Sequence, residues 1–278
     1  MKNREADMKK LSLLSLIILI TLLTNFLSAC NGSYYSNTGK LDVIMEKRFP
    51  ISWGKDLIVK VNSGDLIVNS WDKSEVYIKI LGNEKARERL EFKFDNNDSY
   101  VELITESKGT LFNWFNGLSL KIEIMVPEKF NSQIQTSGGD INLMGVAGNH
   151  QLKTSGGDVV CKSFTGILEV STSGGDVTLE GSYTSINAHT SGGDIVLDYS
   201  GKNMGIDLST SGGDIRVKLP DDFNAAMELS TSGGDVSCDL TMNNVTKLTE
   251  HKIVAELNNG GKDFVAHTSG GDIQVRKK

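Results

Sequence analysis

One five-residue phrase, Thr-Ser-Gly-Gly-Asp, recurs seven times in this 278-residue chain and constrains its fold more than any other feature. Successive copies begin 18, 18, 18, 20, 21 and 37 residues apart. Self-similarity at a near-constant period predicts stacked repeats, each of which contacts mainly its neighbours. The copies are Thr136–Asp140, Thr154–Asp158, Thr172–Asp176, Thr190–Asp194, Thr210–Asp214, Thr231–Asp235 and Thr268–Asp272.

Apolar residues alternate with polar ones on both sides of the phrase. Ile141 and Leu143 flank Asn142 after the first copy, and a similar alternation precedes each threonine. This period of two is typical of a strand with one buried face. We therefore predict an all-β fold: a β-helix or β-solenoid whose two-stranded coils each contain about 18 residues.

The phrase itself is expected to form the tight corner between two strands. Glycine can take the positive φ that a sharp corner requires, and serine and aspartate side chains can hydrogen-bond backbone N–H groups nearby. Threonine and serine could also hydrogen-bond along the stack. The predicted turn residues are Gly138, Gly139, Asp140, Gly156, Gly157, Asp158, Gly174, Gly175, Asp176, Gly192, Gly193, Asp194, Gly212, Gly213, Asp214, Gly233, Gly234, Asp235, Gly270, Gly271 and Asp272.

A column of aspartates leaves a metal-binding alternative open, because stacked carboxylates repel one another unless something neutralises them. Calcium β-rolls of the RTX type also have a coil of about 18 residues, but they contain two glycine-aspartate units in each coil. This chain has one unit per coil, and calcium takes about six to eight oxygen ligands. We therefore favour a structural role for the aspartates, and we predict no metal site and no cofactor.

The longer steps indicate where the stack accepts extra residues. The 20- and 21-residue steps carry their additions at 198–205 and 219–225, at a variable corner opposite the phrase. We interpret the 37-residue step as two coils, with the missing phrase near 248–252.

Two cysteines and two histidines fall in shared columns of this register. Cys161 and Cys238 are expected to face inward about four coils apart, roughly 19 Å at the usual strand spacing, which is too far for a disulfide. His189 and His267 are expected to face outward, also about four coils apart, and therefore not to form a pair.

Residues 41–130 read as an N-terminal β region that caps the repeats at 131–278. Short alternating runs separated by turn residues predict strands, and one helix is expected at Glu84–Leu90. Asn62–Leu66 resembles a worn copy of the phrase, so this region could already belong to the stack.

The first 29 residues are predicted to be a lipoprotein signal peptide, followed by an acylated N-terminus and tether at 30–40. Lys9 and Lys10 precede an apolar core too short for a membrane span. Leu27-Ser28-Ala29-Cys30 looks like a bacterial lipobox, in which the cysteine sulfur receives the lipid. The alternative is an ordinary secretory signal. We expect export and a lipid anchor on Cys30, in the outer membrane of a Gram-negative host or on the outer face of a Gram-positive cytoplasmic membrane.

Three aromatic residues, Phe112, Trp114 and Phe115, cluster within 108–118. An exposed aromatic cluster could bind a sugar, a partner or a membrane surface. A plug that packs over the core is the interpretation we favour.

The formal charge is -6, and removing residues 1–29 leaves about -8, since that segment holds four basic and two acidic residues. This gives no electrostatic basis for nucleic-acid binding. No catalytic triad, paired catalytic carboxylates or nucleotide-binding loop is readable, so we predict no enzyme activity.

The repeated TSGGDI/TSGGDV phrase, the segment Ile124–Pro127 and the N-terminal β region together resemble the DUF4097 "putative adhesin" family, over about residues 40–278. That resemblance implies a β-strand repeat fold on a bacterial surface, often as a lipoprotein. The leading hypothesis is therefore a non-enzymatic surface lipoprotein for adhesion or envelope interaction, with an unknown surface protein or glycan as partner. The second is a carbohydrate-binding or carbohydrate-active β-helix, and the third is a structural calcium β-roll.

Overall fold

A computed structural model describes residues 41–51, 55–109 and 117–278. The signal peptide, Cys30 and the aromatic cluster of Phe112, Trp114 and Phe115 lie outside the described residues. Residues Lys40–Lys278 form one compact unit. None of the helices in the described part is long and apolar enough to cross a membrane.

The all-β class is confirmed: the described residues contain 21 strands and one short helix. The strands are β1 (Asp42–Pro50), β2 (Asp56–Val61), β3 (Asp65–Trp71), β4 (Glu75–Gly82), β5 (Leu90–Asn96), β6 (Tyr100–Ser107), β7 (Leu120–Pro127), β8 (Asn131–Thr136), β9 (Ile141–Met144), β10 (Ala147–Lys153), β11 (Val159–Ser171), β12 (Val177–His189), β13 (Ile195–Ser200), β14 (Ile206–Ser209), β15 (Ile215–Leu219), β16 (Ala225–Thr231), β17 (Val236–Cys238), β18 (Met242–Thr249), β19 (Lys252–Leu257), β20 (Asp263–Thr268) and β21 (Ile273–Lys277).

The helix, α1 (Glu84–Arg89), lies where the good helix formers predict it. The side chain of Asn83 caps its first turn, accepting the Ala86 N–H at 3.0 Å. Such a cap satisfies one of the backbone donors that the first turn leaves free.

All strands belong to one sheet with two ladders, which the long strands β11 and β12 join by taking part in both. The strands that precede the phrases pair in the order β6-β2-β8-β10-β11-β12-β14-β20-β16. The strands that follow them pair in the order β7-β3-β9-β11-β12-β13-β15-β21-β17. Every pairing in these two series is parallel, and equivalent residues of successive phrases lie side by side.

Spatial order departs from chain order at both ends. The worn copy on β2 and β3 lies directly beside the first phrase, and β6 and β7 lie outside it although they come later in the chain. At the other end, β20 and β21 insert between the repeat at 210–214 and the repeat at 231–235. The last repeat of the chain is therefore enclosed by two earlier ones.

Antiparallel strands lie beyond the outermost repeats. At the N-terminal end, β5 pairs with β6, and β4 and β1 extend the ladder beyond β7. At the C-terminal end, β19 pairs with β16, and β18 pairs with β19. The charged residues Glu46, Lys47 and Arg48 lie on the outer strand β1, as is usual for a strand edge that must not recruit another sheet.

Our interpretation of the 37-residue step is wrong. Residues 242–257 form the antiparallel hairpin β18–β19, so no phrase is missing near 248–252. The separations that we expected within the two columns change as well. His189 and His267 lie two strands apart in the sheet, with Ser209 on the strand between them. Cys161 and Cys238 lie five strands apart.

Inward side chains of both ladders form one continuous core. The variable corner contributes more to it than the sequence suggests. Tyr199, Phe223 and Phe264 are buried and contact one another edge to face, with ring centroids 5.6 and 6.3 Å apart. The Tyr199 hydroxyl donates to the Lys202 carbonyl at 2.8 Å and accepts the Thr184 N–H at 3.0 Å, which satisfies it inside the core.

Candidate functional site

The threonine of each phrase joins neighbouring repeats. Its buried hydroxyl donates to the second glycine carbonyl of the adjacent repeat, at 2.8–3.0 Å in six of the seven phrases and 3.4 Å at Thr136. In those six phrases it also accepts the N–H of its own second glycine, at 3.2–3.3 Å. One hydroxyl therefore closes the corner and holds the next repeat in register.

The second glycine of each phrase is required because the backbone of the adjacent repeat lies very close to it. A Cβ placed there would lie 1.9–2.3 Å from the glycine carbonyl oxygen of the adjacent repeat, in all seven phrases. We expected these glycines to be required because they adopt positive φ, and for most of them that reason is wrong. Among the glycines of the seven phrases, Gly139 alone has a positive φ, at 145°. The first glycine has more room: a Cβ at Gly138 or Gly156 would have no neighbour within 4 Å.

The aspartates form a continuous ladder at this corner. From Asp65 of the worn copy onwards, the Oδ1 atom of each aspartate accepts the backbone N–H of the next aspartate in the stack, at 2.8–3.1 Å, and the ladder ends at Asp235. Each carboxylate before Asp235 therefore has one oxygen committed to the backbone. The remaining oxygens lie along one edge at the strand spacing of about 4.8 Å, where their charges repel.

Arg216 offsets part of this repulsion. Its guanidinium contacts Asp194 Oδ2 at 2.8 Å and Asp214 Oδ2 at 2.6 Å. The backbone N–H of Asp214, together with Arg216, lowers the pKa of Asp194 from its ordinary value, and the same carboxylates raise the pKa of Arg216. Arg216 is the polar residue between two inward positions after the fifth phrase, so its place in the outward pattern was readable, but its partners were not.

A polar groove runs along the outward face of the first ladder, with a volume of about 440 Å³. A chain of side-chain hydrogen bonds crosses it: Gln133 donates to Gln151 and Gln151 donates to Glu169, each at 2.9 Å. Lys153 and His189 also line the groove. Each of these side chains keeps at least one polar group for solvent or a ligand.

Next to this groove, histidine and serine alternate in one outward column. His189 Nδ1 lies 2.9 Å from Ser209 Oγ, and His267 Nδ1 lies 3.1 Å from Ser230 Oγ. We predicted no histidine pair, and the structure separates the two rings by one strand. A hydrolase triad would also need a carboxylate that orients each ring. Among the hydrogen bonds described for these histidines, none involves a carboxylate.

A third histidine, His150, is buried in the core. Its Nδ1 lies 2.9 Å from Ser132 Oγ, and its Nε2 lies 3.3 Å from the Val146 carbonyl. Burial lowers its pKa from 6.5 to about 4, against the smaller opposite effect of the Val146 carbonyl. The ring is therefore neutral at pH 7 and serves packing.

No cluster of three or more metal-ligating side chains occurs in the part of the chain that the structure describes. Cys161 is fully buried and Cys238 half-buried, and burial raises both thiol pKa values. A raised pKa disfavours the thiolate, which is the reactive form.

The predicted turn residues come together in one column, whereas Cys30, Phe112, Trp114 and Phe115 lie outside the described residues. Sequence reasoning missed the buried His150 and the aromatic contacts of Tyr199 and Phe223. For His150 the signal was present, since Ser132 and His150 hold the same inward position one repeat apart.

The Toastrack DUF4097 family model matches residues 34–276 of this chain. Three solved structures are similar, each matched over 86% of this chain. A "putative adhesin" from Bacteroides fragilis NCTC 9343 is 14% identical in sequence, with a match that covers 98% of that protein's chain and a TM-score of 0.42. A "putative adhesin" from Parabacteroides distasonis ATCC 8503 is 12% identical, with a match that covers 98% of its chain and a TM-score of 0.42. A "putative cell adhesion protein" from Clostridium sporogenes ATCC 15579 is 14% identical, with a match that covers 100% of its chain and a TM-score of 0.39. No curated protein matches the chain.

Proposed function

The chain belongs to the Toastrack DUF4097 family, and from that premise we propose that it is a non-enzymatic lipoprotein of the bacterial cell envelope. In this proposal the lipid on Cys30 anchors it to the membrane. Residues 31–40 tether a β-solenoid of about 18-residue coils, whose outward face makes adhesive or envelope contacts.

The observation that carries the anchor is the order of signals at the N-terminus. A basic pair, Lys9-Lys10, precedes the apolar stretch 11–23, and Leu27-Ser28-Ala29-Cys30 follows it. An acyl chain supplies about 0.8 kcal/mol of membrane affinity for each buried methylene, and stable anchoring needs more than one chain. A diacylglyceryl cysteine meets that requirement.

The regular ladder of hydrogen bonds supports a role in binding other surfaces. Repeats locked by the threonine and aspartate hydrogen bonds hold the outward side chains at fixed intervals. A rigid surface loses little conformational freedom on binding, which favours adhesion. The polar groove along Gln133, Gln151 and Glu169 is one part of that surface.

The anchor is tested in cells by replacing Cys30→Ala and following the protein through membrane fractionation and radioactive palmitate labelling. We expect loss of the label, together with release from the membrane or accumulation of the uncleaved precursor. Cys238→Ala, which removes a thiol far from the signal, should be labelled and retained as in wild type. Mature, membrane-bound Cys30→Ala protein, or an unchanged precursor level in globomycin, would refute the anchor.

The contact function is tested by comparing attachment of a deletion strain with that of strains complemented by wild type or by Cys30→Ala. We expect wild type alone to restore attachment to host matrix or to neighbouring cells, and envelope integrity under detergent stress. A deletion strain that is unchanged in both assays would overturn this part of the proposal.

A further inference from the structure

A groove of about 790 Å³ follows the variable corner near the N-terminal end of the stack. It lies between the turn after β3, the turn between β7 and β8, and the stacked corners of β10 and β11. Trp71, Phe130 and three lysines, Lys55, Lys73 and Lys129, are among the residues that line it.

Bare backbone forms part of the groove. Gly148 and Gly166 stack directly: a Cβ on Gly166 would lie 2.2 Å from the Gly148 carbonyl oxygen, and one on Gly148 would lie 2.5 Å from that of Phe130. Their φ values, 155° and 114°, also favour glycine. Neither position can carry a side chain, so backbone alone forms the surface there, beside the lysines and the tryptophan.

Lys55 is the unusual member of this surface. It is only 9% exposed, and its ammonium makes one side-chain hydrogen bond, to Asn96 Oδ1 at 3.0 Å. Among the described residues it forms no ion pair with any carboxylate. An ammonium has three donors, and burying its charge with only a neutral partner is costly. An anion in the groove would offset that cost.

The other charges at the groove leave it locally positive. Lys73 and Lys129 are exposed at its rim, opposed by Asp72 and Glu128, so the five groups sum to +1 in a chain whose formal charge is -6. Pairing with an anion costs an exposed lysine hydration and side-chain freedom, so Lys73 and Lys129 each contribute modestly to binding. The charged groups that line the groove therefore sum to the opposite sign from the whole chain.

Trp71 gives the groove an apolar wall with a fixed orientation. Its indole N–H donates to the Glu75 carbonyl at 2.8 Å, and the ring stacks on Tyr77 at 6.1 Å. The Lys73 ammonium lies 4.8 Å from the Trp71 ring centroid. A rigid aromatic ring beside cations suits a ligand with both an apolar C–H surface and acidic groups, as in a sugar acid or sugar phosphate.

We propose that this groove binds an anionic saccharide, with carboxylate or phosphate groups held by Lys55, Lys73 and Lys129 and the sugar packed against Trp71. The inference rests on the proposed envelope function and names the class of ligand that the protein contacts there.

Isothermal titration calorimetry on the full chain in detergent tests the site. The probes are tetragalacturonate, which carries carboxylates, a phosphorylated maltotetraose, which carries phosphate groups on a sugar, and neutral maltotetraose. We expect at least one anionic tetramer to bind, at least about tenfold more tightly than maltotetraose and more weakly as salt rises. The two anionic probes distinguish the sources of the charge.

Lys73→Gln combined with Lys129→Gln should weaken that binding at least about tenfold, and Lys55→Met should do the same. Lys153→Gln, in the other groove, is the matched control and should leave affinity unchanged. The proposal is overturned if neither anionic tetramer binds at millimolar concentration, if maltotetraose binds as well, or if the Lys73/Lys129 variant binds like wild type.

Attachment of cells that carry the Lys73/Lys129 variant separates this inference from the proposed function. Lost saccharide binding with normal attachment supports the site and assigns attachment to another surface. Absent saccharide binding in wild type, with attachment still dependent on the protein, overturns the site and leaves the proposed function standing.

Discussion

Three of the five residues of the repeated phrase have separate physical tasks in the stack. Threonine joins two repeats through a hydroxyl that both donates and accepts, and aspartate passes a hydrogen bond to the next repeat. The second glycine lets one backbone lie against the next, while the first glycine meets no close neighbour in several copies. The strict recurrence of the phrase therefore has a structural cause at three of its five positions.

Two adjacent glycines in one phrase give a matched test of this reasoning. Gly175→Ala should destabilise the protein by more than about 2 kcal/mol, because its Cβ would lie 1.9 Å from the Gly157 carbonyl oxygen. Gly174→Ala should change the free energy of unfolding by less than about 1 kcal/mol, since its nearest neighbour would be 3.8 Å away. Urea unfolding of both variants measures the difference. Equal effects would contradict the close-approach argument.

The buried His150 predicts a pH dependence of stability. Its pKa is about 4 in the folded protein and 6.5 in the unfolded chain, so the unfolded state binds more protons between these values. Stability is therefore fully present above pH 6.5 and falls as the pH decreases towards 4, by about 2 kcal/mol from this group between pH 7.5 and 5.

His150→Gln should remove that loss, whatever its effect on stability at pH 7.5. His189→Gln changes an exposed ring and should retain it. Urea titrations at pH 7.5 and 5 check both variants. The interpretation fails if wild type and His150→Gln lose equal stability on acidification.

At the scale of elements, both ends of the stack are built in the same way. The outermost repeat at each end is the chain neighbour of the repeat that it covers. β2 and β3 lie inside β6 and β7, and β20 and β21 lie inside β16 and β17. Antiparallel strands then lie beyond the outer repeats. Long connections are the consequence, and the 37-residue step is one of them.

Deleting residues 263–278 removes the enclosed C-terminal repeat and should be far more damaging than trimming a free end. It would separate β16 and β17 from β14 and β15 and expose the buried core residues of both edges. We expect loss of the cooperative unfolding transition, or a melting temperature lower by more than about 10 °C.

Deleting only Lys277 and Lys278 is the control. It removes exposed ion pairs with Asp221 and Asp198, which contribute about 1 kcal/mol or less. Calorimetry and limited proteolysis compare the two deletions. Near-native melting of the longer deletion would show that the enclosed repeat does not hold the end together.

At the scale of the whole molecule, the ladder of aspartates bears on whether the stack of repeats is stable without bound calcium. Every carboxylate before Asp235, the last in the stack, accepts a backbone N–H at Oδ1, and Arg216 contacts Oδ2 of two of them. The remaining oxygens supply too few ligands for calcium, which takes about six to eight. The hydrogen bonds themselves hold the column together.

We therefore expect the melting temperature to be the same in EDTA and in millimolar calcium chloride. Asp158→Asn preserves the Oδ1 acceptor and removes one charge, so its free energy of unfolding should stay within about 1 kcal/mol of wild type. Stabilisation by calcium that Asp158→Asn abolishes would instead support the β-roll hypothesis.

The sequence by itself determined the all-β class, the strands on either side of each phrase, and a helix at Glu84–Leu90, which in the structure ends at Arg89. Those features depend on local patterns, a period of two, a turn phrase and a cap, which can be read within a few residues. Only the tertiary structure decided that the last repeat inserts before the sixth, that His150 is buried, and that Trp71 and Lys55 meet at one groove. These depend on which distant strand edges pair and on how closely backbones stack, and no local pattern encodes that choice.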